Sequence, residues 1–156
     1  MRIALLAATA AIAMLTSCST GPVRRVSEPA ASLQQLQVRP DGNWSVDLRL
    51  HNYSSIPMQF KRVQLQMSVD GQPAANLDTV ANLQIGPESP DLIKLTVTPT
   101  LAGKIAVADS LTRKVIFNFR LQGTVMAAPE KAGERSFKIN STGSLSPAPG
   151  LDGVLR

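Results

Sequence analysis

Residues Trp44–Gly71, WSVDLRLHNYSSIPMQFKRVQLQMSVDG, decide the fold class. Trp44, Val46, Leu48 and Leu50 alternate with Ser45, Asp47, Arg49 and His51, a period of two that makes a strand with one buried and one wet face. Asn52-Tyr53-Ser54-Ser55-Ile56-Pro57 breaks the alternation and reads as a corner. Val63, Leu65, Met67 and Val69 then alternate with Arg62, Gln64, Gln66 and Ser68. Asp70-Gly71 closes that strand with a hairpin signal, because a type I′ turn needs positive φ at both central residues.

Working outward, Leu33–Val38 is a preceding strand with Leu36 and Val38 on one face, ended by the turn Pro40-Asp41-Gly42. Downstream, Ala74–Leu77 and Val80–Ile85 read as two short strands, and Gly86–Pro90 as a loop. Leu92–Thr98 is a β-branched strand with Ile93, Leu95 and Val97 inward. Over residues 101–112 the pattern turns helical, Leu101, Ile105, Ala108 and Leu111 recurring at spacings of three or four. Lys114–Val125 is a long strand with Val115, Phe117, Phe119 and Leu121 inward and Gly123 as a bulge or point of close approach. A hairpin loop over Ala127–Glu134 leads to a return strand, Arg135–Ser141, that buries Phe137 and Ile139 and is capped by Gly143-Ser144-Leu145. The last residues, SPAPGLDGVLR (146–156), read as a disordered, frayed tail.

Seven or eight short strands with turn signals between them, and at most one short helix, predict an all-β, antiparallel immunoglobulin/fibronectin III-like β-sandwich over residues 32–145. A chain of 156 residues suits one such domain. With 44% hydrophobic and 17% charged residues it is globular in composition. The formal net charge is +5, but the basic residues are scattered and not interleaved with aromatics, which argues against nucleic acid as a partner. The strip Arg49, Lys61, Arg62 could meet an acidic partner or lipid, although an ordinary solvated face has the same look.

Catalytic chemistry finds few footholds. His51 is the only histidine, and its parity sets it on the wet face beside Asp47 and Arg49, without a second histidine or a nucleophile in motif context. No serine lies in Gly-x-Ser-x-Gly or Ser-x-x-Lys, and no glycine-rich phosphate loop is present. A zinc site lacks ligands. The expectation is therefore a protein that is not an enzyme and uses no cofactor or metal. Trp44 begins the inward run and is expected in the core.

The N-terminus carries an address. Residues 1–17, MRIALLAATAAIAMLTS, have a basic start and an apolar run shorter than a bilayer span, as in a secretory signal peptide. Leu15-Thr16-Ser17-Cys18 resembles a bacterial lipobox, and Cys18 is the only cysteine of the chain. The resemblance implies an acylated Cys18 anchored in membrane lipid, since two or more acyl chains hold firmly where one does not. Ser19, in place of an Asp, argues by the same rule for the outer membrane, with the domain facing the periplasm. Residues 18–31 are expected to form a flexible tether, long enough at ~3.3 Å per residue to hold the domain up to ~40 Å from the lipid.

The order of elements resembles the type 2 late-embryogenesis-abundant family, also called the water-stress and hypersensitive-response domain. The residues that carry the likeness are the strand Val46–Leu50, the corner Asn52 with Pro57, the strand Val63–Val69 ending at Gly71, Ile85-Gly86-Pro87 leading to Leu95-Thr96-Val97, and the closing Gly123, Phe137 and Gly143-Ser144-Leu145. The family often has Asn-Pro-Asn at the corner, where this chain has Asn52-Tyr53-Ser54. The resemblance implies a stable β-sandwich associated with desiccation and stress tolerance. Combined with the lipobox it implies a non-catalytic lipoprotein that protects the cell envelope. The alternative is a docking module for another envelope protein or a small apolar ligand, using exposed sheet edges.

Overall fold

The computed structural model describes residue 21 and residues 23–156. The signal-peptide reading and Cys18 lie outside the described residues. Alternating side chains build eight strands: β1 (Ala30–Val38), β2 (Trp44–Asn52), β3 (Met58–Val69), β4 (Gln72–Ile85), β5 (Ser89–Val97), β6 (Phe117–Pro129), β7 (Arg135–Leu145) and β8 (Val154–Leu155), with one helix, α1 (Leu101–Arg113), between β5 and β6. They form two antiparallel four-stranded sheets, ordered β5-β2-β1-β8 and β4-β3-β6-β7. The expected all-β sandwich with one short helix is what the chain forms.

Trp44, Val46, Leu48 and Leu50 from one sheet face Val63, Leu65, Met67, Phe117, Phe119 and Leu121 from the other, all buried. Asp70 and Gly71 both take positive φ, 50° and 77°, as the hairpin signal requires. Bulges refine the alternation. The register slips between Leu33 and Gln35, so Leu33 and Leu36, three apart, both point inward. The two short strands expected at 74–85 are one strand, β4. Its residues Ala81 and Asn82 stand opposite the single Lys61, Asn82 takes a φ of 42°, and Val80 faces solvent.

One buried side chain fastens the corner. Asn52 is wholly buried, and its Nδ2 donates to the carbonyls of Ile56 (2.8 Å), Gly86 (2.9 Å) and Ile85 (3.2 Å). Its Oδ1 accepts from the backbone N–H of Ser54 at 2.9 Å. The β2–β3 corner is thereby bonded to the β4–β5 crossing. Pro57 leads into β3, and its carbonyl accepts from the backbone N–H of Glu130 in the β6–β7 turn (2.9 Å).

Two expectations about the ends need correction. The segment expected to be flexible tether is docked from Val23 onward. Ser55 Oγ donates to the Val23 carbonyl (2.9 Å) and accepts from Arg25 N–H (2.8 Å), while Ser27 N–H donates to Ser54 Oγ (2.9 Å). Arg25 adds bonds to the Tyr53 carbonyl and the Glu88 carboxylate. The segment itself has no periodicity, and its partners are corner residues about thirty positions away. The C-terminal residues are likewise not frayed. Val154 and Leu155 are buried and pair with Gln37 and Leu36, and Arg156 exchanges backbone bonds with Ser146.

Helix α1 forms where expected but turns a different face inward. Its buried residues are Gly103, Val107 and Ser110, while Leu101 and Ile105 are 75% and 61% exposed. Gly103 sets that face: a Cβ there would stand 2.5 Å from the Ala74 carbonyl oxygen and 3.0 Å from the Trp44 ring. Only a bare backbone lets the helix lie so close to β4. Thr100 caps the N-terminus, accepting from Gly103 N–H at 3.0 Å and donating to the Pro73 carbonyl at 2.7 Å. The expected inward Val115 is 39% exposed, since β6 begins only at Phe117.

Gly123 is a point of close approach. It has a φ of 149°, and a Cβ there would stand 2.1 Å from the Gln64 carbonyl oxygen. At Gly143 the missing Cβ leaves room for the Phe119 ring, whose tip lies 2.6 Å from where it would be.

Three substitutions check this account by urea or thermal unfolding. Asn52→Ala strands buried carbonyls and an N–H and is expected to cost about 1–3 kcal/mol or more. Gly123→Ala is expected to cost at least about 1–3 kcal/mol through overpacking, whereas Gly133→Ala, where a Cβ meets nothing within 4 Å, stays within about 0.5 kcal/mol. Leu155→Ala is expected to destabilise by about 2–5 kcal/mol, as for a core leucine; a frayed tail would show no change.

Candidate functional site

The alternation that fills the core also fixes what the outer face of the β4-β3-β6-β7 sheet presents. Opposite the inward Leu65 and Met67 stand Gln64, Gln66 and Ser68 of β3; opposite Phe119 and Leu121 stand Asn118, Arg120 and Gln122 of β6. Register then sets Gln66 beside Gln122, Arg120 between Ser68 and Thr142, and Asn118 beside Ser144. The result is a groove of about 660 Å³, open to solvent and floored by amides, hydroxyls and the Arg120 guanidinium. Such a surface offers hydrogen-bond donors and acceptors in rows. It can hold water or a hydroxylated ligand.

At the β4 side, Arg62 makes two 3.0 Å hydrogen bonds to the Asp78 carboxylate. The Arg62 guanidinium, with a smaller contribution from Gln64, holds that carboxyl below the usual carboxylate range. The pair therefore favours the fold at neutral pH, and its small contribution is lost as pH falls through the lowered value.

A second concave region flanks α1. Val38, Trp44, Val107 and Leu111 line a mainly apolar cleft of about 250 Å³ with Lys104 at its rim. Next to it, Leu111, Ile116 and the 146–153 loop enclose about 630 Å³. Exposed Leu101, Ile105, Ile116 and Leu151 belong to the same end of the sandwich.

The residues singled out in the sequence fall as follows. Asn52, Pro57, Gly71, Gly123 and Gly143 are structural, each at a bond, turn or close approach described above. Trp44 is core, 1% exposed. His51 stacks on Tyr53, ring centroids 3.9 Å apart, and lies in register with Ala30 and Pro90. The basic strip is split: Arg49 is on β2 in one sheet, while Lys61 and Arg62 are on β3 in the other, held by Glu134 and Asp78. Among the described residues, no three His, Cys, Asp or Glu side chains gather as metal ligands. Sequence parity identified Gln66 and Ser68 of β3 as outward, and did not name the groove residues of β6 and β7. Their adjacency needed the strand register.

No protein-family model matches the chain, and no curated protein matches it. Solved structures do resemble it. A protein from Arabidopsis thaliana, known from its solution structure, is 11% identical, with 85% of each chain covered and a TM-score of 0.51. The candidate ApaA protein from Bordetella pertussis is 12% identical over 83% of this chain and 100% of that one, with a TM-score of 0.47. A candidate late embryogenesis abundant (LEA) protein is 12% identical over 94% of this chain and 84% of that one, with a TM-score of 0.45. At 11% identity, what the Arabidopsis thaliana protein shares with this chain is the fold.

Proposed function

We propose that this chain is a lipoprotein, acylated at Cys18 and held at the periplasmic side of the outer membrane, whose type 2 LEA-like sandwich protects the envelope during drying or osmotic stress. The observation that carries the proposal is Leu15-Thr16-Ser17-Cys18, with the only cysteine of the chain at the lipobox position, ahead of a self-contained β-sandwich. The corner Asn52 and the glycines that carried the family resemblance are shape-determining positions of that sandwich, which supports treating the resemblance as one of scaffold. Protection in this reading needs no bond-making step. A stable domain at the lipid surface keeps neighbours apart as water leaves, and its amide and hydroxyl face offers hydrogen bonds that water no longer supplies.

A second reading is favoured by a separate observation, the apolar cleft beside α1 with Leu101 and Ile105 exposed on the same helix. In that reading the domain docks an envelope protein or a small apolar ligand, and stress is only the setting. Crosslinking in cells separates the two: one dominant partner through α1 favours docking, and a broad set that grows under high osmolarity favours protection.

Cys18→Ala tests the anchor. It is expected to block processing, raise the apparent mass by the retained leader, and abolish acyl labelling. Unchanged mobility and labelling defeat the lipoprotein reading. A deletion strain is expected to survive desiccation less well than its parent, and equal survival removes the protective role.

A further inference from the structure

We infer that the corner end of the sandwich, comprising the strap Val23–Pro29, the β2–β3 corner and the β6–β7 turn, is the surface that meets the lipid, with α1 at the opposite end. The inference rests on the proposed acylation of Cys18 and adds to it an orientation and a contact face.

Reach is the first argument. Val23, Arg25 and Ser27 are each bonded to Ser54 or Ser55, so the chain is held to the corner from Val23 onward. From Cys18 to Val23 is five peptide units, which span at most about 18 Å when fully extended. That is under half of what an undocked 18–31 segment would allow. The twelve residues of β3 run from the corner to the Asp70-Gly71 turn, about 40 Å at the usual rise. An anchor tied at the corner by so short a length keeps that end nearest the lipid whether the domain stands or leans.

The chemistry of this end is the second argument. Tyr53 is 47% and Val23 83% exposed, an amphipathic ring and an apolar side chain where water meets headgroups. Arg24, Arg25 and Lys61 pair with Glu130, Glu88 and Glu134, so these carboxylates are each covered by a cation. Lys131 and Arg135 are exposed and make no ion pair among the described residues, as do Glu28 and Asp91, the other two acids of this end. Lys131 and Arg135, in the β6–β7 turn and at the start of β7, are the cations of this end left to meet lipid phosphates. The α1 end instead carries the apolar cleft and the mixed one beside it, open to the aqueous side.

The test uses the full acylated protein in vesicles of phosphatidylethanolamine and phosphatidylglycerol. With Cys18 blocked by lipid, an introduced cysteine is the only free thiol. A fluorophore is placed at Gly133→Cys, in open space at the corner end, or at Leu101→Cys on α1. Lipids bearing a headgroup quencher are expected to quench the Gly133→Cys label several-fold more than the Leu101→Cys label. The double variant Ser54→Ala, Ser55→Ala, which removes the corner hydroxyls that hold Val23, Arg25 and Ser27, is expected to shrink that difference. Equal or reversed quenching in membrane-bound protein overturns the orientation alone, and an unchanged difference in the Ser54→Ala, Ser55→Ala variant overturns the role of the strap. Protein that fails to sediment with vesicles overturns the anchor and the orientation with it.

Discussion

The structure depends on the Asn52 carboxamide. A two-sheet sandwich must carry its chain from one sheet to the other, and each crossing leaves backbone carbonyls and N–H groups without a ladder partner. Asn52 stands where β2 ends and answers for two crossings at once, through the Ile56 carbonyl of its own corner and the Ile85 and Gly86 carbonyls of the β4–β5 crossing. Both amide N–H groups and the carbonyl are needed, so neither a carboxylate nor a hydroxyl can replace it. Ser54 extends the same node outward. Its carbonyl accepts from Glu88 N–H and its Oγ from Ser27 N–H, so the crossing and the N-terminal strap share one anchor point.

Where a residue's neighbours are close in sequence, its role was legible. The parity of Trp44 to Leu50 and of Val63 to Val69 gave the buried faces, and Asp70-Gly71 gave its turn, because pleat and φ are local constraints. What escaped was decided by partners far along the chain. Leu101 and Ile105 looked like the packing face of α1, yet Gly103 won that face because only it admits the Ala74 backbone and the Trp44 ring. The strap lacks any pattern of its own because serines thirty positions away supply its bonds, and Val154-Leu155 acquires strand character only beside β1.

The candidate site divides along the same line. Gln66, Arg120 and Thr142 could each be called outward-facing from parity, but β3, β6 and β7 had to be aligned before they became one groove. The grouping of Arg49 with Lys61 and Arg62 failed for the converse reason, since the corner between them sends the chain into the other sheet. The residues most telling for the family likeness are those with the strictest geometric demands, not those with reactive side chains. A likeness built that way preserves a shape while leaving the outer faces free to vary.

The short strand β8 bears on what happens as solvent is withdrawn. Drying concentrates proteins, and an unpaired strand edge is a template on which identical chains add to one another. Here β8 covers part of the β1 edge, the register slips between Leu33 and Gln35, and the other outer strands carry residues that disfavour a further strand: Pro90 and Lys94 on β5, Pro73 and the Asn82 kink on β4, Lys138 on β7. β5 and β7 keep an unbroken register, so on those edges the proline and the lysines, not a bulge, discourage a further strand when molecules are crowded together. Resistance to fibril growth is thus written into the perimeter of the sheets, independently of what their faces bind.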